Sequence, residues 1–362
     1  LHTYIDAAIA NGEIAVDTET NNSLDPITCK LMGPCIYTPG QKNAYIPLNH
    51  VNPDTNERLE WQLTEKDIEE ELSRLKDTFI IMHNGKFDYQ VIKCTVNVDL
   101  KIDWDTMIGA KLLDENERSA GLKQQYISKI DPSIEKYSID HLFEGVEYAV
   151  VDPEVFALYA ATDSFMTYKL YEWQKKHFLK KENEKLYKLF TEIEMPIVTV
   201  AADMELAGVD IDAEYSELLS KKYHKKMDKI DAEISEELAK LEDKISAWRQ
   251  SPDAQAPSKD SSDPTKKVKT KGEQLKDPVE LTSPTQLGIL LYDVLKVPVV
   301  DKKSPRGTGE DILLKIDQPL CKLILEKRGL AKLINTYIDK LPASVNPKNN
   351  FAYINSLGLG EV

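Results

Sequence analysis

Seven residues near the start, Ile14-Ala15-Val16-Asp17-Thr18-Glu19-Thr20, constrain this chain more than any other stretch. An apolar run ending in carboxylates two residues apart reads as a strand. Asp17 and Glu19 then leave the same face, because strand side chains alternate with period 2. Two carboxylates side by side at the end of a buried strand repel each other unless a cation or a raised pKa relieves them. An isolated Asp-x-Glu also has a plainer reading, in which one carboxylate caps a turn and the other is solvated. The rest of the chain has to decide.

The surrounding text predicts an α/β domain. Runs at 13–18, near Lys30–Tyr37 and at Asn43–Pro47 read as strands separated by Pro, Gly and Asn. Thr64 opens an amphipathic helix to about Lys76, with Glu65, Asp67, Glu69 and Glu70 in its first turns, as the macrodipole favours. Phe79-Ile80-Ile81-Met82 is a short buried strand running into His83-Asn84-Gly85-Lys86-Phe87-Asp88-Tyr89. Asn-Gly breaks that strand and puts Asp88 in the first turn of the next helix, where by itself it only favours the helix N-terminus. Asp105 reads as another N-cap. Pro153 opens a helix that runs past Tyr171, and within it Tyr159 and Asp163, four apart, share one face.

Composition sets outer limits. A chain of 362 residues is too long for one compact core, and 41% hydrophobic with 30% charged residues describes a globular protein. No run of about 18 apolar residues predicts a membrane span, and no membrane partner is expected. Cys29, Cys35, Cys94 and Cys321 form no CxxC pair. They predict neither a zinc site nor a disulfide framework, and fit a reducing cytoplasm. The net charge of −15 argues against a general nucleic-acid binder, unless acidic residues serve metal binding and basic ones cluster.

Asp17-x-Glu19, Asn84-x3-Asp88 and Tyr159-x3-Asp163 follow in that order, about 70 to 75 residues apart, at a strand end, a strand-to-helix junction and a helix face. Over about residues 1–180 this resembles the three exonuclease motifs of the DEDD superfamily, in its tyrosine-containing branch. The resemblance implies an α/β, RNase H-like 3′-5′ exonuclease domain. Its converging carboxylates would hold two divalent cations about 4 Å apart. Hard oxygen ligands favour Mg²⁺, with Mn²⁺ able to substitute. By the same resemblance Asp17, Glu19 and Asp163 hold the first ion, Asp17 bridges to the second, and Asp88 supports the second largely through water. Tyr159 would orient the attacking water. Leu24 would wedge between terminal bases, and Asn84 would touch the terminal nucleotide.

From Lys181 the text turns to long helical patterns. Glu194-Met195-Pro196 through Met204–Asp212 predicts a helix with a proline kink and a glycine C-cap. Apolar residues from Tyr215 to Ile245 recur at three- and four-residue steps, predicting one long amphipathic helix. Residues 250–280 lack periodicity and read as a flexible excursion. Its run Lys266, Lys267, Lys269 and Lys271 is a candidate phosphate contact, and Lys221, Lys222, Lys225 and Lys226 form a second basic cluster. Leu281–Leu287, Gly307–Leu313 and Leu325–Pro342 then open three further helices. In this order they resemble the thumb of family A DNA polymerases.

The resemblance implies an exonuclease domain over 1–186, a mainly α-helical thumb over 187–342 and the start of a palm over 343–362. No palm aspartate motif or Tyr-Gly finger helix is read; Arg328 and Lys332 imitate the first two finger residues but belong to the thumb. This stretch by itself is not expected to polymerise. The expected partners are a single-stranded DNA 3′ end at the exonuclease site and primer-template duplex at the thumb, with the protein a monomer. The competing readings are a stand-alone DNA or RNA exonuclease with a helical accessory domain, and a non-catalytic DNA clamp.

Overall fold

The computed structural model describes residues 1–116, 119–137, 142–256, 269–343, 345–346 and 351–352. They divide into two compact units, Leu1–Gly208 and Val209–Ala352. Among the described residues no helix is long and apolar enough to cross a membrane.

In the first unit, helix His2–Asn11 ends at Gly12, whose φ of 77° lies in the left-handed region that glycine enters without a Cβ clash. The chain turns there into β1 (Glu13–Thr20). β2 (Leu31–Tyr37), β3 (Ala44–Tyr45), β4 (Phe79–Met82) and β5 (Ile102–Asp105) complete a sheet of order β3-β2-β1-β4-β5. β3, β2 and β1 pair antiparallel, while β1, β4 and β5 run parallel. The central strand is buried where it is apolar, at Ile14, Ala15 and Val16, and alternates from Asp17 onward. β1 to β4 lie where the apolar runs and their punctuation predict them. β5 is not read as a strand in the sequence, because its four residues run directly into the helix that Asp105 caps.

Helices fix what the sheet presents. Helix Gly85–Val96 follows β4, and helix Pro153–Phe178 lies against β1 and β2. Trp104 on β5 anchors the second of these. Its ring sits edge-on to Tyr171, Phe178 and Phe190 at 5.0, 5.5 and 4.6 Å between centroids. Its indole N–H donates to Gln174 Oε1 at 2.8 Å, and Gln174 Nε2 donates onward to the Thr106 carbonyl at 2.7 Å. The buried amide therefore has partners on both sides, as burial of a polar group demands.

The predicted proline kink appears as a π-helical turn, Phe190–Glu194, leading into helix Met195–Ala207 with Pro196 in its first turn and Gly208 as its C-cap. Met195, Val198 and Ala202 join the core of the first unit. The compact units therefore divide after Gly208, although the sequence character changes from Lys181 and the helical region is expected from 187.

The second unit has its own core, including Ile230, Trp248, Leu287, Leu291, Leu320 and Ile324. Two expectations are corrected here. The predicted single helix is two, Ala213–Ala239 and Glu242–Arg249, because Leu241 N–H bonds the Leu238 carbonyl in a tight i→i+3 turn. Glu242 and Asp243 then start the new helix, where its dipole favours acid. The excursion at 250–280 is folded at both ends. Pro252–Gln255 and Lys271–Gln274 are short helices packed together, and Ala254 and Leu275 are buried. Residues 257–268, with Lys266 and Lys267, lie outside the described residues.

Candidate active site

The strand reading of Asp17 and Glu19 holds. Both are half-buried on one face of β1, and Thr18 between them is buried on the other. Parallel pairing of β1 with β4 runs only from Glu13 to Ala15, so the Thr18 N–H has no strand partner. Asp88 supplies one. The Thr18 N–H and Oγ1–H both donate to Asp88 Oδ1, at 2.8 and 2.6 Å. One carboxylate oxygen of Asp88 is thus committed to the strand, which locks the buried side chain beside Asp17.

The turn that delivers Asp88 is equally constrained. Asn84 precedes helix Gly85–Val96 in a left-handed conformation, φ 59°, that asparagine tolerates better than most residues. Asp105 holds this turn: it accepts from the N–H groups of Asn84 and Gly85 at 3.2 and 2.8 Å. It also accepts from Met107 and Ile108 at 2.8 and 3.3 Å. The predicted N-cap of helix Thr106–Leu113 therefore caps two helix starts at once.

Electrostatics shows that the carboxylates converge. Burial, and then the charges of Asp88, Glu19 and Asp163, push Asp17 well above the usual carboxylate range. Glu19 is pushed up to about 8, mainly by burial and then by the charge of Asp163. Asp88 rises to about 7 through burial, against the lowering pull of its Thr18 hydrogen bonds. Asp163 and Tyr159 face the same place from helix Pro153–Phe178. Burial, the Glu19 charge and a hydrogen bond with Tyr148 hold the Tyr159 phenol far above its ordinary value. Raised carboxylates clustered at a strand end mark a candidate site for a cation.

The donor set fits a hard divalent cation. Among the described residues, oxygen atoms of Asp17 and Glu19 and the sulfur of Cys35 lie within 4.8 Å of one another. Burial and the neighbouring carboxylates hold the Cys35 thiol well above its ordinary pKa. Most of these donors are carboxylate oxygens, which hard divalent cations prefer, with one thiol beside them.

The predicted DNA contacts fare unevenly. Leu24 is 79% exposed in the loop after β1, and Asn84 is exposed at its helix start. Lys269 is exposed, but Lys271 is turned to the protein itself, its Nζ 3.1 Å from Asp293, which also pairs with Arg306. Sequence reasoning missed Cys35, Lys123 and Tyr148. Cys35 stands opposite Asp17 in the β1–β2 register. Lys123, on helix Leu122–Lys129, lies over the Tyr159 ring at 4.6 Å. No local spacing announces any of them; each depends on which elements meet.

A mixed sheet carrying paired carboxylates at the end of its central strand, faced by a helix bearing Tyr159 and Asp163, is the make-up of a 3′-5′ exonuclease domain. Residues 1–178 match the family described as 3'-5' exonuclease. Residues 251–355 match DNA polymerase family A. Through these two matches the chain is similar to the N-terminal region of family A DNA polymerases, with its 3′-5′ exonuclease domain.

DNA polymerase I of Pseudomonas aeruginosa is 27% identical over 347 residues, covering 92% of this chain and 33% of that protein. DNA polymerase I of Treponema pallidum is 27% identical over 386 residues, covering 94% and 34%. The DNA polymerase of Bacillus phage SP01 is 25% identical over 297 residues, covering 76% and 31%. The chain spans about a third of the length of these relatives. The POL domain of Pol1 from M. smegmatis, solved with DNA primer-template and dNTP, aligns at a TM-score of 0.60 and 16% identity. That alignment covers 98% of this chain and 50% of the other, and shows the likeness of fold.

Proposed function

We propose that this chain hydrolyses the 3′-terminal nucleotide of DNA, as the proofreading exonuclease of a family A polymerase, with the helical unit gripping primer-template duplex. The observation that carries this reading is the convergence of Asp17, Glu19, Asp88 and Asp163 beside Tyr159, where burial and neighbouring charges raise the Asp17, Glu19 and Asp88 carboxyls. Asp17, Glu19 and Asp163 would hold one Mg²⁺; Asp17 and Asp88 would hold the second. Two bound cations would acidify a water and neutralise charge at the scissile phosphate.

The chain's own residues do the rest. Tyr159, with its pKa raised, stays protonated at neutral pH, so it orients a water rather than taking its proton. Asp88, tied to Thr18 through Oδ1, is held beside Asp17. The water oxygen bonds to phosphorus and gives up a proton to solvent. The bond from phosphorus to the penultimate 3′-oxygen breaks, that oxygen takes a proton from solvent to become the new 3′-hydroxyl, and a nucleoside 5′-monophosphate leaves. Leu24 and Asn84 would contact the terminal nucleotides, a reading supported by their exposure beside the motifs. Lys269 is a candidate contact in the second unit, which we take to bind duplex as a monomer.

The test is direct. Purified chain with Mg²⁺ should shorten 3′-labelled single-stranded DNA, EDTA should stop it, and Asp17→Ala/Glu19→Ala should abolish it. Wild-type protein that leaves the labelled strand intact would refute the catalytic reading. Equal cutting of RNA and DNA 3′ ends would favour the stand-alone nuclease.

A further inference from the structure

We propose that Lys123 is a catalytic residue of this site, donating from its ammonium to a non-bridging oxygen of the scissile phosphate. The inference rests on the nuclease reading above. Lys123 is the second residue of helix Leu122–Lys129, which packs against the helix carrying Tyr159 and Asp163. Its Nζ stands 4.6 Å from the centre of the Tyr159 ring, so the ammonium lies over the face of the residue proposed to orient the water.

Lys123 is half-buried, and its charge acts on both Asp17 and Glu19, opposing the rise of each. Among the described residues no other cation acts strongly on either carboxylate.

Charge balance gives this lysine a task. Four ionised carboxylates carry four negative charges, which two divalent cations balance. The phosphodiester brings a further negative charge, and more develops on its oxygens as water adds. A fixed cation at the reacting phosphate is the residue type that stabilises such a transition state. Lysine suits the position, because a compact ammonium on a four-carbon stem can turn its donors toward an arriving oxygen. Lys123 keeps its proton and forms no covalent bond.

The full chain is compared with K123A and K123R. With saturating Mg²⁺ and a 3′-labelled single-stranded oligonucleotide, single-turnover cutting should fall about 10²- to 10³-fold in K123A and recover most of that loss in K123R. Binding is read separately by fluorescence anisotropy in an Asp17→Asn/Glu19→Gln background, which cannot cut. There K123A should lower the slope of log K against log salt by about 0.7, the signature of one lost single-strand phosphate contact. K123R should restore the slope.

K123A that cuts at the wild-type rate with an unchanged slope overturns the proposal and leaves the nuclease reading standing. Slow cutting with a lowered melting temperature, an unchanged slope and no recovery in K123R also overturns it, since Lys123 would then be structural. Wild-type chain that leaves the oligonucleotide uncut refutes the nuclease reading and this proposal together.

Discussion

Glu19, held up to about 8 by burial and the charge of Asp163, dictates how the metal-free protein responds to pH. Between its ordinary value near 4.5 and about 8, the folded carboxyl keeps a proton that the unfolded chain has released. Stability then falls as pH rises, and the loss is complete once pH passes the folded value. Asp17 and Asp88, also raised, act in the same direction. In EDTA the melting temperature should decline from about pH 5 to about pH 8 and then level off. Saturating Mg²⁺ should flatten the profile, because a cation replaces the proton as the source of relief. A pH-independent melting temperature in EDTA would contradict the raised values. By the same logic Asp17→Ala/Glu19→Ala should melt no lower than wild type without metal. These residues are legible one pair at a time, since i, i+2 on a strand and i, i+4 on a helix are local relations. Cys35, Lys123 and Tyr148 are not, because their partners lie on other elements.

Among the elements, helix Gly85–Val96 has to be held at both ends of its task. Asp105 fixes its start through the Asn84 and Gly85 N–H groups while capping its own helix. Replacing one N-cap by Ala costs about 0.5–2 kcal/mol, and this one serves two helices. Asp105→Ala should therefore destabilise by about 2 kcal/mol or more in urea unfolding. It should also slow cutting, because Asp88 loses its register. Unchanged activity would mean that the Thr18 bonds alone position Asp88.

The far face of the helix meets Met195–Ala207. There Lys86 Nζ lies 2.8 Å from Glu205 Oε1, and Gln90 Nε2 donates to Oε2 at 2.8 Å. Both charged side chains are nearly buried. Glu205→Ala leaves the Lys86 ammonium there without its carboxylate, which costs about 3–5 kcal/mol, whereas Lys86→Met/Glu205→Leu should recover most of it. Urea titrations of the single and double variants decide this. Sequence reasoning finds the helix and its proline turn. It does not find the ion pair, whose partners are 119 residues apart.

At the largest scale, two compact units, each with hydrophobic packing of its own, predict separable unfolding. Calorimetry should resolve two transitions. Mg²⁺ should raise only the one belonging to Leu1–Gly208, by about 2.7 kcal/mol of stability at a hundredfold excess over Kd. A single transition that shifts as a whole would show that the units unfold together.

The amino-acid sequence by itself determined β1 to β4, the helix starts at Thr64, Asp105 and Pro153 and the three acidic motifs, because each follows from neighbours within a few residues: alternation, capping, helical spacing. It also carried the thumb-like order of helices after Lys181. Tertiary structure alone decided that Asp88 spends one oxygen on the open Thr18 N–H, that Asp105 serves two helices, and that Lys271 faces Asp293. Only the fold brings Lys123 over Tyr159 and raises the carboxyl pKa values that mark the site. The physical reason is range. Backbone preferences act within a turn or a strand, whereas burial and repulsion depend on which residues packing brings together from distant parts of the chain.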